Sequence, residues 1–275
     1  MEFEETQYQI NDMNIYSIEW NIKNPKALLI AFHGLGTYTG IMRNYFERLV
    51  GLNLLVCAPD LPYHGKSTGE PKGWVNSFEM ILDVSNKYID VVKEKYNANG
   101  TLPLFIIGHS MGGLIVSTLA QKRKDITGVI GSAPGYQINN VYLYYFYYLL
   151  LLFLFFFPLF FQKTIYSDAG FPRRDVRLAF EKDDLVIKKT YIKSMTQLVK
   201  YGDIDMKKDV HVPFLLYVGK NDGVVTVKGC QIKATHLKHP KSKFIEYDNC
   251  LHCLYEEHNL DEQIRNIDAF INDLL

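Results

Sequence analysis

"LPLFIIGHSMGGLIVSTLAQ", residues 102–121, is the stretch on which the rest of the chain turns. It sets Gly108-His109-Ser110-Met111-Gly112 between a strand and a helix, the context that a G-x-S-x-G elbow requires. A tight turn there strains the backbone at the serine and lifts its hydroxyl above a sheet. Glycines on either side let strand and helix approach without a side-chain clash. The helix N-terminus beyond the serine favours negative charge. The competing reading of Ser110 is a plain helix N-cap. A second match, Gly65-Lys66-Ser67-Thr68-Gly69, follows "APDLPYH" and runs into "EPKG". It lacks the flanking strand and helix and reads as a Gly-rich surface turn.

Working outward, the pattern before residue 135 alternates short apolar runs with longer amphipathic ones. "ALLIAFHG", "LNLLVCAPD", "LPLFIIGHS" and "GVIGSAP" read as buried strands, each ended by Gly, Pro or Asp. "YFERLV" and "SFEMILDVSNKYIDVVKEKY" carry apolar residues at helical spacing. Alternating strands and helices predict an α/β class with a largely parallel sheet covered on both faces. "TQYQI" and "NIYSIEW" predict an antiparallel edge. After residue 210 the same grammar returns in "VPFLLYVG", "SKFIEYD" and the closing helix "DEQIRNIDAFINDLL". Between them it breaks into an apolar run and then a charged, helical-looking piece. The expected organisation is one core in two parts, 1–135 and 209–275, with an insertion over 136–208.

A serine hydroxyl is a poor nucleophile without a base, and the base needs an orienting acid. On sheets of this kind the acid and then the histidine follow the serine, on loops after later strands. Asp222 follows "VPFLLYVG" and His252 follows "KFIEYDN". Asp203, Asp205 and Asp209 compete for the acid, but they lie before the strand, in a segment that reads as a solvated linker. His211, His236, His239 and His258 also come late, without the exit of a clear strand in the right order. A developing oxyanion needs N–H donors. The residue after the serine, Met111, supplies one, and the loop "AFHGLGT" supplies Leu35 as the other. His33 in that loop reads as a brace rather than a catalytic group.

Composition narrows the classes. The 275 residues carry 30 Lys+Arg against 30 Asp+Glu, so no broad electrostatic attraction to nucleic acid is expected. The start "MEFEETQYQI" is acidic and polar, unlike a secretory signal. The 4 cysteines fit a reduced cytoplasmic protein. Cys250-Leu251-His252-Cys253 resembles half of a zinc site, but no second ligand pair of convincing spacing follows. No metal and no cofactor are expected.

Taken together, "HGLG", "PDLPYHGKS", "GWVNSFEMILDV", "GHSMGG", "VPFLLYVGKNDGVV" and "YDNCLHCLYEE" resemble the monoacylglycerol lipase and lysophospholipase branch of the α/β-hydrolases, grouped with serine aminopeptidase-like hydrolases. The likeness spans about residues 27 to 135 and 210 to 257. It implies an α/β-hydrolase fold with an inserted, strongly hydrophobic helical cap. It implies Ser110 as nucleophile, Asp222 as acid, His252 as base, and Leu35 and Met111 as oxyanion donors. It implies hydrolysis of lipid carboxylic esters, with monoacylglycerol or lysophospholipid as substrate. The chain departs from the family where a Glu is replaced by Thr37, an Arg by Ile41, and a histidine beyond the catalytic one by Tyr255. These departures fall on the head-group end, so ester hydrolysis is better supported than glycerol specificity. A short-chain carboxylesterase and a catalytically silent, membrane-binding hydrolase fold are the rival readings.

The run from Val141 to Phe161 carries no charge and is long enough for a bilayer core of ~30 Å at about 1.5 Å per residue. A single crossing would strand Ser110 on one side of the membrane and Asp222 and His252 on the other. No second comparable stretch returns the chain. The run is therefore expected to be a cap contacting the membrane surface, with Pro158 kinking or ending its helix. Tyr142, Tyr144, Tyr145, Tyr147 and Tyr148 suit the headgroup boundary and the phenylalanines the acyl region. The competing reading is burial within the cap or in a dimer interface.

Overall fold

Residues 1–139, 147–164, 168 and 170–275 are described by the computed structural model. The chain opens with a hairpin. Strands β1 (Glu4–Ile10) and β2 (Met13–Trp20) pair antiparallel across Asn11, whose φ of 53° suits a tight turn. Then follow β3 (Ala27–Phe32), α1 (Arg43–Val50), β4 (Leu54–Pro59), α2 (Phe78–Tyr96), β5 (Leu104–His109), α3 (Met111–Ala120) and β6 (Gly128–Ser132). Strands β3, β4, β5 and β6 are buried along their whole length, as their unbroken apolar character predicts.

After β6 the chain leaves the sheet. It forms α4 (Tyr147–Phe156), β7 (Phe161–Lys163), α5 (Arg174–Lys182), β8 (Lys189–Tyr191) and α6 (Ile192–Asp205). It returns with β9 (Phe214–Gly219), α7 (Val227–Thr235), β10 (Lys243–Tyr247) and α8 (Leu260–Asn272). The main sheet has the order β1-β2-β4-β3-β5-β6-β9-β10, with β1 and β2 antiparallel to their neighbours and the remainder parallel. With helices packed against it, this is the α/β-hydrolase fold.

Two features refine the sequence reading. The charged piece reads as helical in sequence, yet Lys189-Thr190-Tyr191 within it forms β8 and pairs with Phe161-Gln162-Lys163. Thr and Tyr favour strands, and the apolar run supplies a partner. Helix α7 was not expected, since "VKGCQIKAT" has little amphipathic pattern. It is instead defined by its cap, where Thr226 Oγ1 accepts the Gly229 N–H at 3.2 Å.

Helix α4 stops at Phe156, shortly before Pro158. Its Phe155 is 79% exposed and its Phe156 68%. The part of the apolar run from 141 to 146, with Tyr142, Tyr144 and Tyr145, lies outside the described residues. Among those that are described, no helix is long and apolar enough to cross a membrane.

Candidate active site

Strands β5, β9 and β10 run parallel, and the three residues singled out in the sequence follow their C-terminal ends. Loops at this edge are where open α/β sheets build sites. Ser110 caps the turn from β5 into α3 with φ 54° and ψ −114°, a left-handed conformation costly for a side-chain-bearing residue. The turn is over-determined. Ser110 N–H donates to the Ser132 carbonyl at 2.9 Å, and its own carbonyl accepts from Gly135 at 2.9 Å and Leu114 at 3.1 Å. A Cβ on Gly108 would lie 2.1 Å from the Gly112 carbonyl oxygen, so the strand-to-helix approach needs glycine.

The Ser110 hydroxyl lies 3.0 Å from His252 Nε2. His252 Nδ1 lies 2.8 Å from Asp222 Oδ2, so with an ionised carboxylate the ring proton sits on Nδ1 and Nε2 is free to accept. Asp222 Oδ1 accepts from the amides of Val224 at 2.8 Å and Val225 at 2.9 Å, which fixes the carboxylate plane. Both Asp222 and His252 are buried. The hydroxyl–imidazole–carboxylate chain is therefore continuous, with the geometry of a nucleophile, base and orienting acid.

Gly34 stands against the serine, since a Cβ on it would lie 3.2 Å from Ser110 Cβ. This brings the loop of Leu35 to Ser110. Among the described residues, neither the Leu35 nor the Met111 amide donates to an acceptor outside its own element. Met111 is the first residue of α3, where amides lack intrahelical partners. His33 braces this loop as expected. Nδ1 donates to the Gly34 carbonyl at 2.8 Å, and Nε2 accepts from Leu61 N–H at 2.8 Å. Burial holds the His33 imidazole down at about 4, so the ring stays neutral and can fill both roles.

The competitors are accounted for. Ser67 is buried in the second elbow-like match, donating to the Asp60 carbonyl at 2.6 Å and accepting from Tyr16 N–H at 2.9 Å. Asp203 pairs with Lys207 on the surface, and Asp209 with His236. Asp205 is not in a solvated linker. It ends α6 in a buried network with Ser117, Thr118, Gln121 and Lys233. A polar residue at a helix end looks solvated until its partners on α3 and α7 are known.

Two contributors were not visible in the sequence. His109 lies 4.8 Å from His252, ring centroid to centroid, and Tyr255 meets His109 edge-on at 5.0 Å. Burial, and then the His252 charge, push the His109 imidazole well below its ordinary value, so it packs as a neutral ring beside His252. The elbow residue x carries no pattern that would foretell this.

In front of Ser110 opens a cavity of about 580 Å³. Phe171, Phe180, Ile187, Met195, Leu198 and Val225 give it an apolar wall. The β7–β8 ribbon adds Gln162, Thr190 and Lys189. Ile187 N–H donates to the Gly36 carbonyl at 2.9 Å, which ties the inserted segment to the Leu35 loop. Cys253 also lines the cavity, while both nitrogens of His252 are engaged, so these two do not form a zinc half-site.

A family profile described as serine aminopeptidase, S33, matches residues 23–259. The chain belongs to this hydrolase family. The S33 hydrolase is 35% identical to human monoglyceride lipase over 111 residues, which are 40% of this chain and 35% of that enzyme. The aligned part thus spans about a third of the human relative. A phospholipase of Bacillus subtilis, YtpA, is 25% identical over 267 residues, 93% of this chain and 99% of its own. Among solved structures, a soluble variant of Saccharomyces cerevisiae monoglyceride lipase superposes with a TM-score of 0.86 at 17% identity, over 99% of this chain and 96% of that one. The Paleococcus ferrophilus monoacylglycerol lipase gives 0.80 at 22% identity, over 100% of both. These likenesses agree with the fold.

Proposed function

We propose that this S33 hydrolase cleaves carboxylic esters of lipids through an acyl-enzyme formed on Ser110, with monoacylglycerol as the first substrate. The observation that carries this reading is the 3.0 Å approach of Ser110 Oγ to His252 Nε2 at the floor of an apolar cavity.

Ser110 Oγ attacks the ester carbonyl carbon while its proton passes to His252 Nε2. The imidazolium is stabilised by Asp222, which keeps the ring oriented without taking its proton. The tetrahedral oxyanion accepts from the Leu35 and Met111 amides in this scheme, where negative charge develops. As the intermediate collapses, His252 protonates the leaving alcohol. His252 then takes a proton from water, whose oxygen attacks the acyl carbon, and returns that proton to Ser110 Oγ as the acyl–oxygen bond breaks and the fatty acid leaves. The acyl chain lies against Phe171, Phe180, Met195 and Leu198 throughout. No step calls on a cofactor.

Residues 136–208 act in this scheme as a cap between the core parts 1–135 and 209–275. Its outer face, with Leu149, Leu152, Phe155, Phe156, Phe157 and Leu159 exposed, is read as a membrane-surface contact. An acyl chain can then leave the bilayer along an apolar path. The four free cysteines suit a cytoplasmic, membrane-peripheral location.

A second reading, lysophospholipase, is favoured by Lys189. It lines the cavity, and no described carboxylate lies within ion-pair distance of its ammonium. Fatty acid release from matched monoacylglycerols, lysophospholipids and short esters tests both. Long-chain neutral esters should turn over fastest. A preference for anionic lysophospholipids that disappears in Lys189→Met would favour the second reading. Short esters turned over without any gain for long chains would oppose both.

A further inference from the structure

The Cys250-Leu251-His252-Cys253 segment has a second use that involves neither His252 nor Cys253. Cys250 Sγ, a Glu257 carboxylate oxygen and a His258 ring nitrogen lie within 4.8 Å of one another. Cys250 is 0% exposed, and its thiol makes no hydrogen bond to a described residue. The Glu257 side chain is 2% exposed, and its salt-bridge partner among the described residues is the His258 ring, at 3.3 Å. The Glu257 carboxylate thus meets the Leu251 amide on Oε1 and the His258 ring on Oε2, and neither supplies a permanent counter-charge. Burial, then Glu257, Glu262 and Asp248, push the Cys250 thiol up to about 12. The same carboxylate field that opposes a bare thiolate attracts a cation. His258 is 65% exposed and leaves a route of entry.

We propose that Cys250, Glu257 and His258 bind a soft divalent cation of the zinc class, and that occupancy slows ester hydrolysis by shifting the loop of His252. One thiolate, one imidazole and one carboxylate, with water in the fourth position, match zinc's preferred donors. Bonds of ~2.0–2.3 Å in a tetrahedron set one sulfur, one nitrogen and one oxygen roughly 3.3–3.6 Å apart, so a cluster spread over 4.8 Å must contract by up to about 1.5 Å. The thiol proton leaves to solvent as the metal–sulfur bond forms, and binding strengthens as pH rises.

The contraction reaches the catalytic groups through single hydrogen bonds to their chain neighbours. The Cys250 carbonyl accepts from Asn221 N–H at 3.0 Å, next to Asp222. Leu251 N–H donates to Glu257 Oε1 at 2.5 Å, next to His252. A Cβ on Gly219 would lie 2.3 Å from the Cys250 carbonyl oxygen, so the backbone has no slack on that side. Drawing Cys250 and Glu257 together therefore disturbs the His252–Asp222 alignment, and small misplacements of reacting groups cost rate steeply.

The inhibitory half of this inference rests on the proposed hydrolase activity; the binding half does not. The test uses the full chain, with zinc titrated against a chromophoric chelator. In parallel, hydrolysis of a short neutral ester is followed at buffered free zinc. One equivalent should bind, and His258→Ala and Cys250→Ser should each weaken binding about tenfold or more. The ratio of rates with and without zinc should fall as the site fills and should stay near one in His258→Ala. Magnesium should do neither. Equal zinc affinity in the parent and both variants, or inhibition that persists in His258→Ala, would overturn the proposal. Binding lost in the variants with no esterase activity at any zinc level would uphold the site and refute the hydrolase reading instead. Hydrolysis without stoichiometric zinc binding would do the reverse.

Discussion

A Cβ on Gly112 would lie 2.2 Å from the Phe32 carbonyl oxygen, so helix α3 rests directly on the end of β3. That contact sets the distance between Ser110 and the Leu35 loop. Gly112→Ala should destabilise the protein by about 3 kcal/mol or more, because backbone rather than a pliable side chain must move. It should also lower kcat by displacing the two amides from the oxyanion. Urea unfolding and ester turnover check this; a variant within about 0.5 kcal/mol of the parent with normal kcat would show that the approach is not tight.

Burial holds His33 down at about 4, and burial followed by the His33 charge holds His64 down at about 3. The unfolded chain protonates both near pH 6.5, whereas the folded chain does so only at these lower values. Between pH 6.5 and 4 the unfolded state therefore binds more protons, and stability must fall as pH falls. His33 alone contributes a loss of about 3 kcal/mol over that window, at 1.36 kcal/mol per pKa unit. Unfolding free energies at pH 7.5, 6, 5 and 4 should decline accordingly; a flat profile from 7 to 4 would contradict the neutral assignment of both rings.

Lys233 Nζ lies 3.1 Å from Asp205 Oδ2 with both side chains buried, and it also donates to the carbonyls of Asp205 and Lys208. Burial pushes its ammonium down, and the Asp205 charge opposes the push. Asp205→Ala leaves a buried cation unpaired and should cost about 3–5 kcal/mol. Adding Lys233→Met should restore much of the loss. Chemical denaturation of the single and double variants measures this, and a single variant less than about 1 kcal/mol below the parent would refute it.

Phe155 and Phe156 are exposed at 79% and 68% and lie far from the catalytic chain in sequence. Phe155→Ser with Phe156→Ser should leave folding stability within about 0.5 kcal/mol while weakening binding to phospholipid vesicles. Co-sedimentation with vesicles reads the effect. Unchanged vesicle binding, with a change from dimer to monomer in solution, would assign the patch to a subunit interface instead.

The parts of this protein that were legible in sequence are those governed by local rules. Leu104 to His109 had to be a buried strand, and Ser110 an elbow, because the apolar run and the flanking glycines leave little else. Asp222 and His252 could be singled out because chain order and strand exits restrict them, and the structure brings both to Ser110. Lys189-Thr190-Tyr191 was misread because a three-residue strand exists only through its partner at Phe161 to Lys163. Asp205 was misread because its network joins α3, α6 and α7. The tilted ring contact of His109 with His252 depends on the turn's three-dimensional path, which spacing does not encode.

The central claim is that Ser110 is the nucleophile, activated through His252 and Asp222. Its most direct test is covalent labelling with a fluorophosphonate, followed by mapping of the modified peptide. The account predicts one adduct, on Ser110, absent in Ser110→Ala and slowed by about 10³-fold or more in His252→Ala. Labelling at another residue, or none on the folded parent protein, would contradict it.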